Sequence, residues 1–146
     1  MKKIILCPKE SGNTFNVCQY VSSNSDVDFK DITKTMKNDF VDYDVIILAS
    51  GVYGNHVHKN IVTWINSIEK NRLNANTKIY VFLTWLGRGN SDKATFNEIK
   101  RLLSEKDIKL EESYMKCYGK SFGLIRNSHP NEEDYKNVLL WATKLS

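Results

Sequence analysis

A parallel β-sheet covered by helices on both faces is the arrangement this sequence predicts, and two patterns carry the prediction. Three short runs are apolar at nearly every position: residues 3–7 (KIILC), 44–49 (DVIILA) and 78–84 (KIYVFLT). A strand with one wet face alternates apolar and polar residues. A continuous apolar run fits a strand buried on both faces, as in the middle of a parallel sheet. Between these runs apolar residues return at helical intervals instead. Strands that alternate with helices along a chain indicate a parallel α/β sheet with right-handed crossovers.

In chain order, residues 3–7 form the first strand, and Phe15, Cys18 and Val21 mark a short first helix. A weaker run at 27–29 is the second strand and 44–49 the third. Val57, Ile61, Trp64, Ile65 and Ile68 fall at i, i+4, i+7, i+8 and i+11, one face of a helix. Residues 78–84 follow as the fourth strand. Phe96, Ile99, Leu102 and Leu103 mark another helix, with Ser91 placed to cap it. Residues 108–118 alternate imperfectly and give the fifth strand. Tyr135, Val138, Leu139 and Ala142 line the last helix, which Asn131 opens with Asp134 three residues later. Both prolines, Pro8 and Pro130, fall at element boundaries.

Composition bounds the rest. The 146 residues suit one domain spanning 1–146. With 41% hydrophobic and 26% charged residues and a formal charge of +4, the chain is neither disordered, collagen-like nor a coiled coil. No apolar run approaches the roughly 20 residues of a membrane span. Met1-Lys2-Lys3 is followed by too short an apolar stretch for a signal sequence, which predicts a mature cytoplasmic protein. Cys7, Cys18 and Cys117 are odd in number and lack CxxC spacing, which argues against a disulfide framework or a zinc site. They read as small buried residues. His56 and His58 have no third ligand nearby, so no metal is expected; His56 could shuttle protons. No G-x-S-x-G or other nucleophile motif occurs, and no side chain is expected to be catalytic. The positive charge has no interleaved aromatic stripe, so no nucleic-acid partner is expected. Lysines 100, 106, 109, 116 and 120 are scattered.

About five strands leave two orders open, a flavodoxin-like one and a half-Rossmann one. In either, ligands sit beyond the carboxyl ends of the strands at the switch point. Three loops therefore matter. Pro8-Lys9-Glu10-Ser11-Gly12-Asn13-Thr14 joins the first strand to the first helix. A helix N-terminus offers unpaired N–H groups and partial positive charge to an anion. Gly12 lets backbone approach closely, Ser11 and Thr14 can donate to phosphate oxygens, and Lys9 adds charge. The alternative is a tight turn with Ser11 as a cap. Neither GxxxxGK[ST] nor GxGxxG is present, which excludes the usual nucleoside triphosphate and dinucleotide loops. The second loop, Ser50-Gly51-Val52-Tyr53-Gly54-Asn55-His56, sets an aromatic beside a glycine. The third, Thr84-Trp85-Leu86-Gly87-Arg88-Gly89-Asn90, offers an aromatic, free backbone groups and glycines. A planar ligand could stack there. Ordinary turns with half-buried aromatics are the alternative.

These residues carry a resemblance over nearly the whole chain. Ser11-Gly12-Asn13-Thr14 matches the [ST]-G-N-T phosphate loop of the flavodoxin family. Residues 49–54 resemble the family's first flavin loop and 84–90 occupy the place of its second. His129-Pro130-Asn131-Glu132-Glu133-Asp134 resembles its ending. Residues 51–65 (GVYGNHVHKNIVTWI) are similar to the subset that includes menaquinone-dependent protoporphyrinogen oxidase. The resemblance implies a three-layer α/β/α sandwich, a five-stranded parallel sheet in the order 2-1-3-4-5, and one noncovalent FMN. Lys9, Ser11, Gly12, Asn13 and Thr14 would hold the phosphate. Ser50, Gly51, Val52, Tyr53, Gly54 and Asn55, with Thr84, Trp85, Leu86 and Gly87, would line the ring. Gly54 matches the glycine whose peptide turns over on reduction. Trp85 either stacks on the ring or sits one pleat inward as core.

The implied function is electron transfer between redox partner proteins, a reductase or an oxidoreductase, by a monomer or weak dimer. The alternative is an FMN-dependent oxidoreductase, or an accessory electron donor to a reductase, acting on a quinone or tetrapyrrole. The chain departs from the family at Lys9 and Glu10, where hydroxyl residues are usual, and in being basic. Lys9 should help a phosphate and Glu10 should oppose it. A basic rim disfavours an anion less than an acidic one does, so a less reducing potential is expected.

Overall fold

A computed structural model of the chain describes residues 1–33, 39–119 and 129–146. Its elements, in order, are β1 (Lys3–Cys7), α1 (Asn13–Ser23), β2 (Asp28–Asp31), β3 (Val45–Tyr53), β4 (His56–Val57), α2 (Lys59–Ser67), β5 (Lys78–Trp85), α3 (Ser91–Ser104), β6 (Tyr114–Tyr118) and α4 (Glu132–Lys144). The sheet runs β2-β1-β3-β5-β6, and every neighbouring pair along it is parallel. With β4 set aside this is the order 2-1-3-4-5. β1 sits between β2 and β3, which excludes the half-Rossmann order.

The doubly buried strands arise from the apolar runs. Along β1, β3 and β5 successive side chains alternate between faces. Ile4, Leu6, Ile46, Leu48, Val81 and Leu83 pack against α2 and α3. Ile5, Cys7, Val45, Ile47, Ala49 and Phe82 pack against α1 and α4. The result is a three-layer sandwich. Each buried aliphatic side chain contributes about 1.5–3 kcal/mol, so the strands are gripped from both sides and their carboxyl ends form a fixed platform. All three cysteines are buried and free, as small core residues. Among the described residues no helix is long and apolar enough to cross a membrane.

Several boundaries differ from those expected. The third strand does not stop at Ala49 but continues to Tyr53, because a hairpin partner pairs with its end: Val52 with Val57 and Tyr53 with His56, antiparallel. Val57 therefore belongs to β4, not to the helix face assigned from spacing. Ser91 is the first residue of α3, and the cap position falls on Asn90, which makes no side-chain cap bond. Of residues 108–118 only Tyr114–Tyr118 is strand. Ile108 and Leu110 are buried without being strand, and Asp107 at φ 57° turns the chain after α3. Of the scattered lysines, Lys120 lies outside the described residues.

Lys3 closes the fold at the amino end of the sheet. It is buried, and its Nζ donates to the carbonyls of Ala142 (3.0 Å) and Thr143 (2.8 Å) in the last turn of α4. A cation there satisfies carbonyls that a helix end leaves unpaired. Lys3→Met is expected to lower stability by about 1–3 kcal/mol, seen as a lower urea midpoint at unchanged slope. An unchanged midpoint would mean that water replaces the ammonium at no cost.

Candidate functional site

Because the strands are parallel, β1, β3, β5 and β6 deliver their carboxyl ends to one edge. The first loop leaves β1 through buried Pro8 and exposes Lys9, Glu10, Ser11 and Gly12. Gly12 has φ 99°, and a Cβ built there meets nothing within 4 Å. The backbone conformation, not lack of room, is what calls for glycine. The Gly12 carbonyl accepts from the Asn16 N–H at 3.0 Å, and α1 starts.

The four α-helices among the described residues begin differently. His58 caps α2 with its side chain, Asp92 puts a carboxylate in the first turn of α3, and Asn131 with Asp134 forms a full capping box on α4. α1 has neither a side-chain cap nor an acidic first-turn residue. Its positive end is left uncompensated by those two devices.

Thr14, in that first turn, is buried, and its hydroxyl lies 2.9 Å from the Thr84 hydroxyl near the end of β5. The pair owns two hydroxyl protons and one lies between them, so one remains to donate elsewhere. Gly119, directly after β6, donates its N–H to the Trp85 carbonyl at 2.8 Å. A Cβ on Gly119 would stand 2.9 Å from Asn13 Nδ2 and 3.7 Å from Thr84 Cβ. Asn13, Thr14, Thr84 and Gly119 thus meet, from α1, β5 and the end of β6. Sequence reasoning missed Gly119. The signal available was a glycine just past a strand, the same one that drew attention to the other loops.

The second loop is a hairpin. Gly54 at φ 53° and Asn55 at φ 71° form a two-residue turn between Tyr53 and His56, the positive-φ pair of a type I′ turn. Ser50 is fully buried; its hydroxyl donates to the Gly51 carbonyl (2.6 Å) and accepts from the His58 N–H (3.0 Å). Gly51 is in the loop and His58 is the cap of α2. Val52 is taken up in pairing with Val57. Tyr53 is 43% exposed and lies across Gly51, where an added Cβ would come to 3.0 Å from Tyr53 Cζ and Oη. Lys9 Nζ sits 5.2 Å from the centre of the Tyr53 ring, and the Asn60 amide donates to the Pro8 carbonyl at 2.9 Å. The first contact ties the first loop to the second, and the other ties it to α2. Glu98 on α3 pins the hairpin from the other side: it accepts from the Val57 N–H (2.8 Å) and pairs with His56 Nδ1 (3.0 Å). His56 is thereby occupied with Glu98.

At the third loop, Trp85 ends β5 half-buried. Its ring lies 13° from parallel with that of Tyr118, centroids 6.2 Å apart, and Lys116 Nζ is 4.4 Å from its centre. Leu86 and Gly87 follow, half-buried, with Gly87 at φ 76°. A separate open depression of about 1120 Å³ lies at the amino end of the sheet beside Lys78 and Glu111. Its Lys70 and Lys100 are paired with Asp107 (2.8 Å) and Glu112 (2.5 Å).

No protein-family model matches the chain. An uncharacterised protein of Methanocaldococcus jannaschii is 26% identical over 153 aligned positions, covering 99% of this chain and 98% of that one. Flavodoxin 1 of Bacillus cereus superposes with a TM-score of 0.68 over the whole of both chains at 17% identity. A flavoprotein of Lactobacillus acidophilus, solved in complex with FMN, gives a TM-score of 0.58 over 80% of this chain and 90% of that one at 16% identity. These likenesses establish that the fold is flavodoxin-like.

His58 gives the site a pH dependence. Its Nδ1 accepts the Asn60 N–H at 3.0 Å, which requires an unprotonated nitrogen. Burial first, then the charges of Lys9 and Lys59, hold its pKa below the ordinary 6.5. A depressed folded pKa means a contribution that is full above the unfolded value and lost as pH falls through the folded one. His58→Asn caps without titrating. Its urea midpoint should therefore fall less than the wild type's as pH drops from 7.5 to 5. Parallel declines would show that the cap does not titrate.

Proposed function

We propose that the chain binds FMN at the carboxyl edge of its sheet and carries electrons between redox partner proteins. The supporting observation is the first turn of α1, which has neither side-chain cap nor carboxylate. Thr14, Thr84, Asn13 and Gly119 converge on it. An anion fits such a place because backbone N–H groups and the helix dipole act together.

The residues present fit a phosphate. Ser11 and the Thr14–Thr84 pair have hydroxyl protons to give, and Lys9 supplies charge. Glu10, which should oppose an anion, has its carboxylate 3.3 Å from the Thr33 hydroxyl, whose shorter contact is to Asp31 at 2.5 Å. The ring would lie with Gly51, Tyr53, Gly54 and Asn55 on one flank and Thr84, Trp85, Leu86 and Gly87 on the other. Ser50 and Val52 would shape the first flank from within. Bound FMN would supply one- and two-electron chemistry; the chain's residues bind it, orient it and tune it. Lys9 and Lys59 lie close enough to His58 to lower its pKa, and these two cations would suit a partner with an acidic surface.

The first test is a titration with FMN and with riboflavin, followed by flavin fluorescence. Two lost charge-assisted hydrogen bonds, at about 1.5–3 kcal/mol each, predict that riboflavin binds at least about 100-fold more weakly. Gly119→Ala, which crowds the Asn13 amide, should weaken FMN about tenfold, on the order of 1.4 kcal/mol. Equal affinity for the two flavins would overturn the phosphate assignment. No binding of either would overturn the proposal.

A further inference from the structure

Asp92 is the most deeply buried acidic residue among those described, at 1% exposure, and besides serving the first turn of α3, where it accepts the Lys93 N–H, it reaches across to the sheet. It faces the sheet from the first turn of α3. One carboxylate oxygen accepts from Lys116 Nζ (2.7 Å) and from the Tyr114 hydroxyl (2.8 Å). Lys116 in turn places its ammonium 4.4 Å from the centre of the Trp85 ring. The register explains the reach. Trp85 pairs with Tyr118 across β5 and β6, and Lys116 lies two residues earlier on the same face. The Tyr118 ring lies nearly parallel to that of Trp85, 13° off with centroids 6.2 Å apart.

A lysine of a strand so near its end would ordinarily stretch into water. Here 42% of its side chain is exposed, but its head is held at both ends, by a buried carboxylate and an aromatic face. A cation on an indole is attracted by the ring quadrupole. A charge-assisted hydrogen bond to a desolvated carboxylate is shorter and stronger than a neutral one. Together they fix both the ring and the charge.

We propose that Lys116, anchored by Asp92, is a positioning residue of the ring site that sets the plane of Trp85 and places a fixed positive charge against it, favouring the reduced, anionic form of a bound flavin. The inference rests on the FMN reading for its second half only. Positioning of Trp85 is a property of the chain itself. The charge effect follows from Coulomb attraction in a partly desolvated site. Of the pair, Lys116 is the member that touches the ring, so its charge is not simply cancelled by Asp92.

The experiment uses the full chain labelled with 5-fluorotryptophan. It contains three tryptophans, Trp64, Trp85 and Trp141, so three fluorine resonances are expected. The one absent in Trp85→Phe is Trp85. In flavin-free protein, Lys116→Met should shift or broaden that resonance alone and Lys116→Arg should restore it. With FMN bound, Lys116→Met should weaken reduced flavin relative to oxidised flavin about tenfold, a fall of roughly 59 mV for a one-electron couple. Lys116→Met/Asp92→Asn removes both charges, so it leaves no unpaired buried carboxylate that could unfold the protein. Its midpoint should fall between the wild type and the single variant. An unmoved Trp85 resonance overturns the positioning role. Midpoints equal to wild type in both variants overturn the charge role. Failure of the wild type to bind FMN overturns the FMN reading and leaves the fluorine result to decide the positioning role.

Discussion

The contact between the Thr14 and Thr84 hydroxyls joins the first turn of α1 to the end of β5, and the geometry of the candidate site depends on it. Two buried hydroxyls 70 positions apart in sequence share one hydrogen bond. That sets where α1 starts relative to the central strands, and so where its N–H groups point. Gly119 reinforces the arrangement. Bonded to the Trp85 carbonyl, it leaves room for the Asn13 amide that any larger residue would take. The site is thus built by buried polar groups that find partners across elements, the condition for a polar network to add rigidity instead of cost.

The second wall is held by a different device. A two-residue turn with two positive-φ positions folds the end of β3 back on itself, and Glu98 fastens the returning strand to α3. The inward Ser50 hydroxyl locks the hairpin to the start of α2. Tyr53 is then left exposed beside Lys9, and the first and second loops share one aromatic. Across the sheet edge Trp85 is contacted by Tyr118 and Lys116. The aromatics of the two flanks are fixed by opposite means, one by backbone turn geometry and the other by a buried ion pair.

Much of this was legible in the sequence because burial on both faces leaves an unmistakable trace. The runs KIILC, DVIILA and KIYVFLT became β1, β3 and β5, and the loops after them became the site edge. The S-G-N-T stretch identified the start of α1. What was illegible depended on partners distant in sequence. Val57 fits a helical spacing as well as a strand, and pairing with Val52 decides the matter. The end of the 108–118 run is blurred because Ile108 and Leu110 are buried by the core without being strand. Ser50 looked like a ligand group, but its position on the pleat turns it inward. Gly119, Glu98 and the Asp92–Lys116 pair could not be connected to the site by spacing, since each acts through a contact between separate elements.

The central claim is that an FMN phosphate sits on the first turn of α1. The most direct test is the change in backbone amide resonances of the labelled protein when FMN is added. The account predicts the largest shifts at residues 12–15 and at Gly119, with smaller ones at Tyr53 and Trp85, and far smaller shifts at 12–15 on adding riboflavin. Shifts confined to the amino end of the sheet, around Lys78 and Glu111, or none at residues 12–15, would contradict it.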